Sequence, residues 1–253
     1  MEMLKDLTGK KNILLMSRCN KAIHLAFKMA RDRGYTQVCI PDQGGWITYA
    51  QYAKKEKMQI HFLKTDLGMI NFDEVRENSV LLFHDMAAYS FVQEYDFEAL
   101  KEKKIFVIAD ICGSIGQYIP DADVVVCSFG AGKMVNYGYG GVLASDEGIR
   151  FESDFDKEQK RDLKLALKDL PARIDFLKDI REQVLEDLAE YDIIRPEVDG
   201  VNVIVKFHSE EEKNALTTYC NEHDLEYREC PFKIRVMCDA ISIEIKRRVQ
   251  GKV

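Results

Sequence analysis

The stretch Val124-Val125-Val126-Cys127-Ser128-Phe129-Gly130-Ala131-Gly132-Lys133, followed by Gly138, Gly140 and Gly141-Val142-Leu143-Ala144, decides how this chain is read. A short β-branched apolar run reads as a buried strand, and the serine and glycines after it end that strand. Similar runs occur elsewhere at Asn12–Met16, Gln37–Ile40, Ile60–Leu63, Val80–Phe83, Ile105–Ala109 and Gly141–Ala144. Between them lie amphipathic stretches that predict helices at Lys21–Asp32, Ile47–Lys57 and Phe97–Lys103, with Gly34 stopping the first. Strands alternating with helical crossovers predict an α/β fold with a mainly parallel seven-stranded sheet, covered on both faces.

After Ser145 the texture changes. From Asp154 to Tyr191, Leu163, Leu167, Leu170, Ile174, Leu177, Ile180, Val184 and Leu188 recur at helical spacing, which predicts a long amphipathic helix broken near Pro171. A strand at Val201–Phe207, a helix at Glu210–His223 and an apolar stretch at Ile234–Cys238 then form a minimal α+β unit. The expected organisation is a large domain over 1–153, a linking helix over 154–191 and a small C-terminal domain over 192–253. No internal repeat or low-complexity segment interrupts it.

Composition narrows the functional classes. The 253 residues are 46% hydrophobic and 31% charged, enough for a sizeable core, with a net charge of −7. Interspersed signs and the lack of a basic stripe argue against nucleic-acid binding, and no apolar run approaches the ~18 residues of a membrane span. Seven cysteines without C-x-x-C spacing read as reduced, buried thiols, and no signal peptide opens the chain, so the cytoplasm is the expected location.

In an open parallel sheet ligands bind beyond the carboxyl ends of the strands. The residues there include Ser17, Asp42 to Gly45, His84, Asp110 and Ser128. Taken singly, a strand-end Asp is a common helix cap, a lone Trp a core residue and a lysine a surface residue. It is their order that carries weight. Asp110, Ser128-Phe129, Lys133 and Gly140-Gly141-Val142 follow one another as in the fold type I pyridoxal-phosphate (PLP) enzymes, and the sequence most closely resembles the DegT-type sugar aminotransferases. Upstream, Ile40-Pro41 and Gly45-Trp46-Ile47-Thr48 look like that family's segment whose aromatic stacks on the pyridine. The likeness covers roughly residues 13 to 145.

The resemblance implies a PLP cofactor, with Asp110 pairing the pyridine nitrogen, Lys133 as the Schiff-base lysine, Ser128 donating to the phosphate and Trp46 against the ring. A buried carboxylate keeps the ring nitrogen protonated, and low-dielectric surroundings favour the free amine an imine needs. Ser17 and Asn20, in a Ser17-Arg18-Cys19-Asn20-Lys21 loop that departs from the family's Ser-Gly-Thr, are expected at the phosphate. Asn136 is expected to reach the cofactor of a neighbouring subunit in a homodimer. His84 matches a histidine of many members, and Ile234-Arg235-Val236 looks like the element whose arginine grips a substrate carboxylate through a planar fork. Gly113 stands where transaminating members carry Gln or His. The implied activity is an aminotransferase acting on an amino acid or small amine; a PLP-dependent lyase, desulfurase or dehydratase, and a non-catalytic PLP-binding partner protein, remain the alternatives.

Overall fold

Seven strands, each closed by a polar residue, a proline or a glycine-rich turn, form the main sheet of the computed structural model, which describes residues 1–249. In chain order the elements are α1 (Glu2–Thr8), β1 (Asn12–Met16), α2 (Cys19–Asp32), β2 (Gln37–Pro41), α3 (Thr48–Lys55), β3 (Gln59–Leu63), β4 (Val80–His84), β5 (Met86–Ala87), β6 (Phe91–Val92), α4 (Phe97–Glu102), β7 (Phe106–Asp110), β8 (Val124–Ser128) and β9 (Gly141–Ser145). There follow α5 (Lys160–Lys168), α6 (Leu170–Asp187), β10 (Val203–Lys206), α7 (Glu210–Glu222), β11 (Tyr227–Cys230) and β12 (Ala240–Ile243). The main sheet has the order β1-β9-β8-β7-β4-β2-β3. Its pairs from β8 through β7, β4 and β2 to β3 are parallel, while β9 runs antiparallel to both β8 and β1.

The seven expected strands are all present, most of them one residue longer than the apolar run that announced them. Residues on both faces of β4, β7, β8 and β9 are buried, which is why these strands are continuously apolar instead of alternating. Gly34 ends α2 with a φ of 91°. The turn into β9 needs two glycines for two reasons. Gly140 sits at φ 84°, and a Cβ on Gly141 would lie 2.7 Å from the Cys127 carbonyl oxygen and 2.8 Å from the Cys19 backbone. That close approach seats the start of α2 against the end of β8.

The long helical stretch breaks near Pro171 as expected: two helices meet at Asp169, so that Pro171 falls in the first turn of α6, where its missing N–H costs nothing. Two expectations need correction. The first large helix begins at Cys19, two residues before the apolar periodicity starts. The apolar stretch Ile234–Cys238 is not a strand. It is an irregular loop, and the three-stranded second sheet, β10-β12-β11, is built from β11 and β12 on either side of it.

The loop from 231 to 239 docks on the main sheet: Gly44 donates to the Lys233 carbonyl at 3.0 Å, and the Met237 N–H donates to Gln43 Oε1 at 2.7 Å. A second contact is at Tyr89, in the turn between the paired short strands β5 and β6: its carbonyl accepts from both Val201 and Asn202 at 2.8 Å, just before β10. Gly200 is needed there, because a Cβ would stand 2.1 Å from the Ser90 carbonyl oxygen. One buried apolar cluster runs from the main sheet to Val201, Val203, Leu216 and Ile241. Among the described residues no helix is long and apolar enough to cross a membrane.

Candidate active site

The carboxyl ends of the parallel strands open into a cavity of about 420 Å³. The chain delivers its lining from separate elements. Ser17, Arg18, Cys19 and Asn20 come from the start of α2, Trp46 from the loop after β2, His84 and Asp110 from the last positions of β4 and β7, and Ser128, Gly130 and Lys133 from β8 and its loop. Most of the residues expected at a site are therefore brought together. Asn136 is the exception: it is exposed, its Oδ1 accepts from Gly132 N at 2.8 Å, and it does not line this cavity.

Asp110 is buried at the floor, where its carboxylate accepts from the Tyr49 hydroxyl at 2.7 Å and from Cys112 N at 3.1 Å. Burial pushes its carboxyl well above the usual range, against the Tyr49 hydrogen bond and the Lys133 charge, which lower it. Such a group holds a proton unless a cation pairs with it. Lys133 Nζ donates to the Tyr89 hydroxyl at 2.5 Å and lies 5.1 Å from the Trp46 ring centre. Trp46 is itself fixed by its indole N–H, which donates to Asn20 Oδ1 at 3.0 Å. Asn20 thus serves the aromatic platform, and Thr48 donates to the same oxygen at 3.3 Å.

Ser17 is not free toward the cavity as expected: its N–H and hydroxyl both donate to Asp154 at 2.8 Å, and Lys21 pairs with the same carboxylate. These bonds hold Asp154 below the usual range, at about 2, outweighing a partial burial that would raise it. The polar groups left at this end of the cavity are those at the start of α2, ahead of Lys21, whose N–H donates to the Arg18 carbonyl at 3.0 Å, and Ser128, whose Oγ accepts from Gly130 N at 3.3 Å.

His84 is buried, with Nδ1 accepting from Met86 N at 3.2 Å and Nε2 unpartnered among the described residues. Burial drives it down to about 3, helped by the charges of Lys133 and Arg235. It is a neutral imidazole. Gly113 explains how it fits: a Cβ at 113 would lie 2.9 Å from His84 Cε1 and 2.9 Å from Met86 Cβ. The imidazole fills the space that a side chain at 113 would take.

Arg235 lines the cavity from the docked loop and not from a strand. Its fork is engaged by Glu244, with Nε donating at 2.6 Å and Nη2 at 2.5 Å, while Nη1 donates to the Ile234 carbonyl at 2.7 Å. Lys246 Nζ also donates to Glu244, at 2.5 Å. Burial alone would raise Glu244, but Arg235 and Lys246 bring it to about 2, whereas burial pulls Lys246 down to about 7 despite Glu244.

Tyr89 is the site residue that sequence reasoning missed. Lys133, Lys246 and Arg235 stand 4.9, 4.8 and 5.5 Å from its ring centre, and His84 meets it edge-on. Ala88 and Tyr89 both have positive φ, 56° and 65°, a strained pair held by the Gly44 carbonyl and by residues 201 and 202. No local pattern in Ala87-Ala88-Tyr89-Ser90 announces that turn.

No protein-family description and no curated protein matches the chain. Solved structures do match its fold. A DegT/DnrJ/EryC1/StrS aminotransferase from Brucella abortus superposes with a TM-score of 0.73 at 12% identity, over 99% of this chain and 85% of that one. GDP-4-keto-6-deoxy-D-mannose-3-dehydratase from E. coli gives 0.67 at 14% identity, over 90% and 75%. DndA from Streptomyces lividans gives 0.67 at 12% identity, over 91% and 82%. The chain has the α/β fold of the PLP-dependent aminotransferases.

Proposed function

We propose that this protein is a PLP-dependent aminotransferase acting on an amino acid or small amine through Lys133. The observation that carries the reading is that Lys133, Asp110, Trp46 and Ser128 line one cavity together with the N-terminus of α2. The residues suit the group. Asp110 is a buried carboxyl whose ionisation becomes favourable beside a protonated ring nitrogen, Trp46 offers a flat face, and His84 Nε2 is a buried polar atom without a partner among the described residues. Ser128 and the α2 N-terminus would hold the phosphate.

Bound there, PLP supplies an electron sink for the bond broken at the substrate Cα. The chain's own residues do the rest. Lys133 Nζ is the base that takes and returns the Cα proton, and the Tyr89 hydroxyl holds that nitrogen in place. Asp110 keeps the proton on the ring nitrogen. Neutral His84 lines the wall as a hydrogen-bonding group that does not compete for the substrate's charge. Arg235, its Nε and Nη2 held by Glu244 and its Nη1 by the Ile234 carbonyl, would meet a substrate carboxylate only with its remaining N–H groups, its charge being already offset by Glu244.

The experiment is borohydride reduction of the protein incubated with PLP, followed by peptide mapping. The pyridoxyl label should fall on the peptide carrying Lys133, and a label on another lysine, or none, would falsify the assignment. Gly113 keeps a second reading open, a lyase or dehydratase using the same residues, because it leaves only His84 where transaminating relatives carry Gln or His. An amino donor that is consumed without forming pyridoxamine phosphate would favour it. The exposed apolar side chains Ile47 and Phe62 support a homodimer, in which the exposed Asn136 would reach the neighbouring subunit's cofactor.

A further inference from the structure

A second cavity, of about 490 Å³, adjoins the first and shares Trp46, Tyr89, Lys133, Ile234 and Arg235 with it. What it adds is mostly positive: Arg228 from β11, and Lys246 and Arg247 from the short turn after β12. The acidic residue in its wall is Glu229, and Lys213 holds that carboxylate at 2.8 Å. Behind the wall, Glu244 offsets one charge of the Arg235 and Lys246 pair that it binds. Arg228 makes no ion pair among the described residues; Arg247 is paired with Glu226 at 3.0 Å, and its buried Nε, without a hydrogen-bond partner among them, lies 3.9 Å from Glu244 Oε2. The Arg247 stem also lies against Gly132, whose added Cβ would stand 3.2 Å from Arg247 Cγ, so this charge abuts the residue before Lys133. In a chain of net charge −7, the hollow still gathers more cations than Glu226, Glu229 and Glu244 can neutralise, with the exposed Arg228 left without an ion pair among the described residues.

We propose that the second cavity is a subsite for an oxyanion, phosphate or carboxylate, carried by the substrate at the end remote from its reacting amine. The inference rests on the reading of Lys133 given above, since it places that amine at Nζ. The guanidinium groups of Arg228 and Arg247 present more donors than one carboxylate can accept, which suits a dianion, while Lys246 is held by Glu244. Phe232 and Trp46 in the same wall leave an apolar path for the carbon chain between the two ends.

The test uses PLP-loaded protein and amine-free probes, so that binding is separated from reaction. Trp46 is the chain's single tryptophan and lines both cavities, and its fluorescence reports occupancy. Glutarate and 3-phosphopropionate should bind about ten- to a hundredfold more tightly than pentanoate, the range of one or two charge-assisted hydrogen bonds. That advantage should shrink with added salt. Arg228→Gln and Arg247→Gln should each remove about tenfold of it while leaving pentanoate unchanged. A higher affinity for 3-phosphopropionate assigns phosphate, and the reverse order assigns carboxylate. Equal affinities for all three probes, or an advantage untouched by both variants, overturns the proposal. Borohydride labelling is run on every sample with a thermal melt as the control for folding. A labelled Lys133 without dianion preference sinks this inference alone, and dianion preference without a label sinks the cofactor reading alone.

Discussion

Tyr89 shows how much a single residue's backbone decides. It reaches Lys133 because residues 88 and 89 are held at positive φ by contacts from two other parts of the chain. Tyr89→Phe should keep the pyridoxyl label on Lys133 and leave KM nearly unchanged. Its kcat should fall by about tenfold to a hundredfold, as for a group that assists proton transfer. An unchanged kcat would make Tyr89 a spacer. Asp85 offers a different test. It is buried, with Oδ1 unpartnered among the described residues and Ser114 donating to Oδ2, and burial raises it to about 7. Between about pH 4 and pH 7 the folded chain therefore binds more protons than the unfolded one, and stability falls as pH rises through that window. Asp85→Asn should remove this dependence. Measured by urea unfolding, the wild type should lose a few kcal/mol relative to the variant from pH 4 to pH 8, because each pH unit across that window is worth ~1.4 kcal/mol. A difference that stays constant with pH would contradict it.

Among the elements, the irregular loop from 231 to 239 is the informative one. It resembles a strand in sequence because Ile234 and Val236 flank Arg235, but the arginine's charge is satisfied by Glu244, just past β12, and not by a neighbour in a ladder. Both partners are buried. Arg235→Leu and Glu244→Leu should each cost about 3–5 kcal/mol, since each leaves a buried charge short of its partner. The double variant should be more stable than the sum of the two losses implies, read from urea midpoints in a double-mutant cycle. Single losses below about 1 kcal/mol would show that solvent reaches the pair. The helices teach the complementary point. The periodicity of α5 and α6 is continuous in sequence, yet Asp169 divides them, because a proline is tolerated in a first turn and not in the middle of a helix.

For the whole molecule, the edge of the main sheet matters most. Strand β3 is outermost, and Phe62 on it is 53% exposed, as is Ile47 at 57% on the loop before α3. The two side chains line one hollow with Lys233. An uncovered strand edge beside exposed apolar groups is a surface that a second copy of the chain would cover. Sedimentation at micromolar concentration should give a dimer, and the pair Ile47→Asp and Phe62→Asp should give a monomer that still melts cooperatively. A wild-type monomer would remove this part of the proposal and with it the role given to Asn136.

The seven strands of the main sheet, the helices between them and the order Asp110, Ser128, Lys133 were legible in the amino-acid sequence. Those features rest on local patterns: unbroken β-branched runs for strands buried on both faces, and polar or glycine residues where a strand must end. The pairings inside the site came from the folded chain alone. Ser17 is claimed by Asp154, Arg235 by Glu244, and Lys133 by Tyr89, pairs separated by 137, 9 and 44 positions. The Arg235 pair is close in the chain, yet it was as hidden as the others, because it depends on a loop leaving the sheet to dock on Gly44. A side chain's type announces which partners it can take, and packing decides which one is within reach.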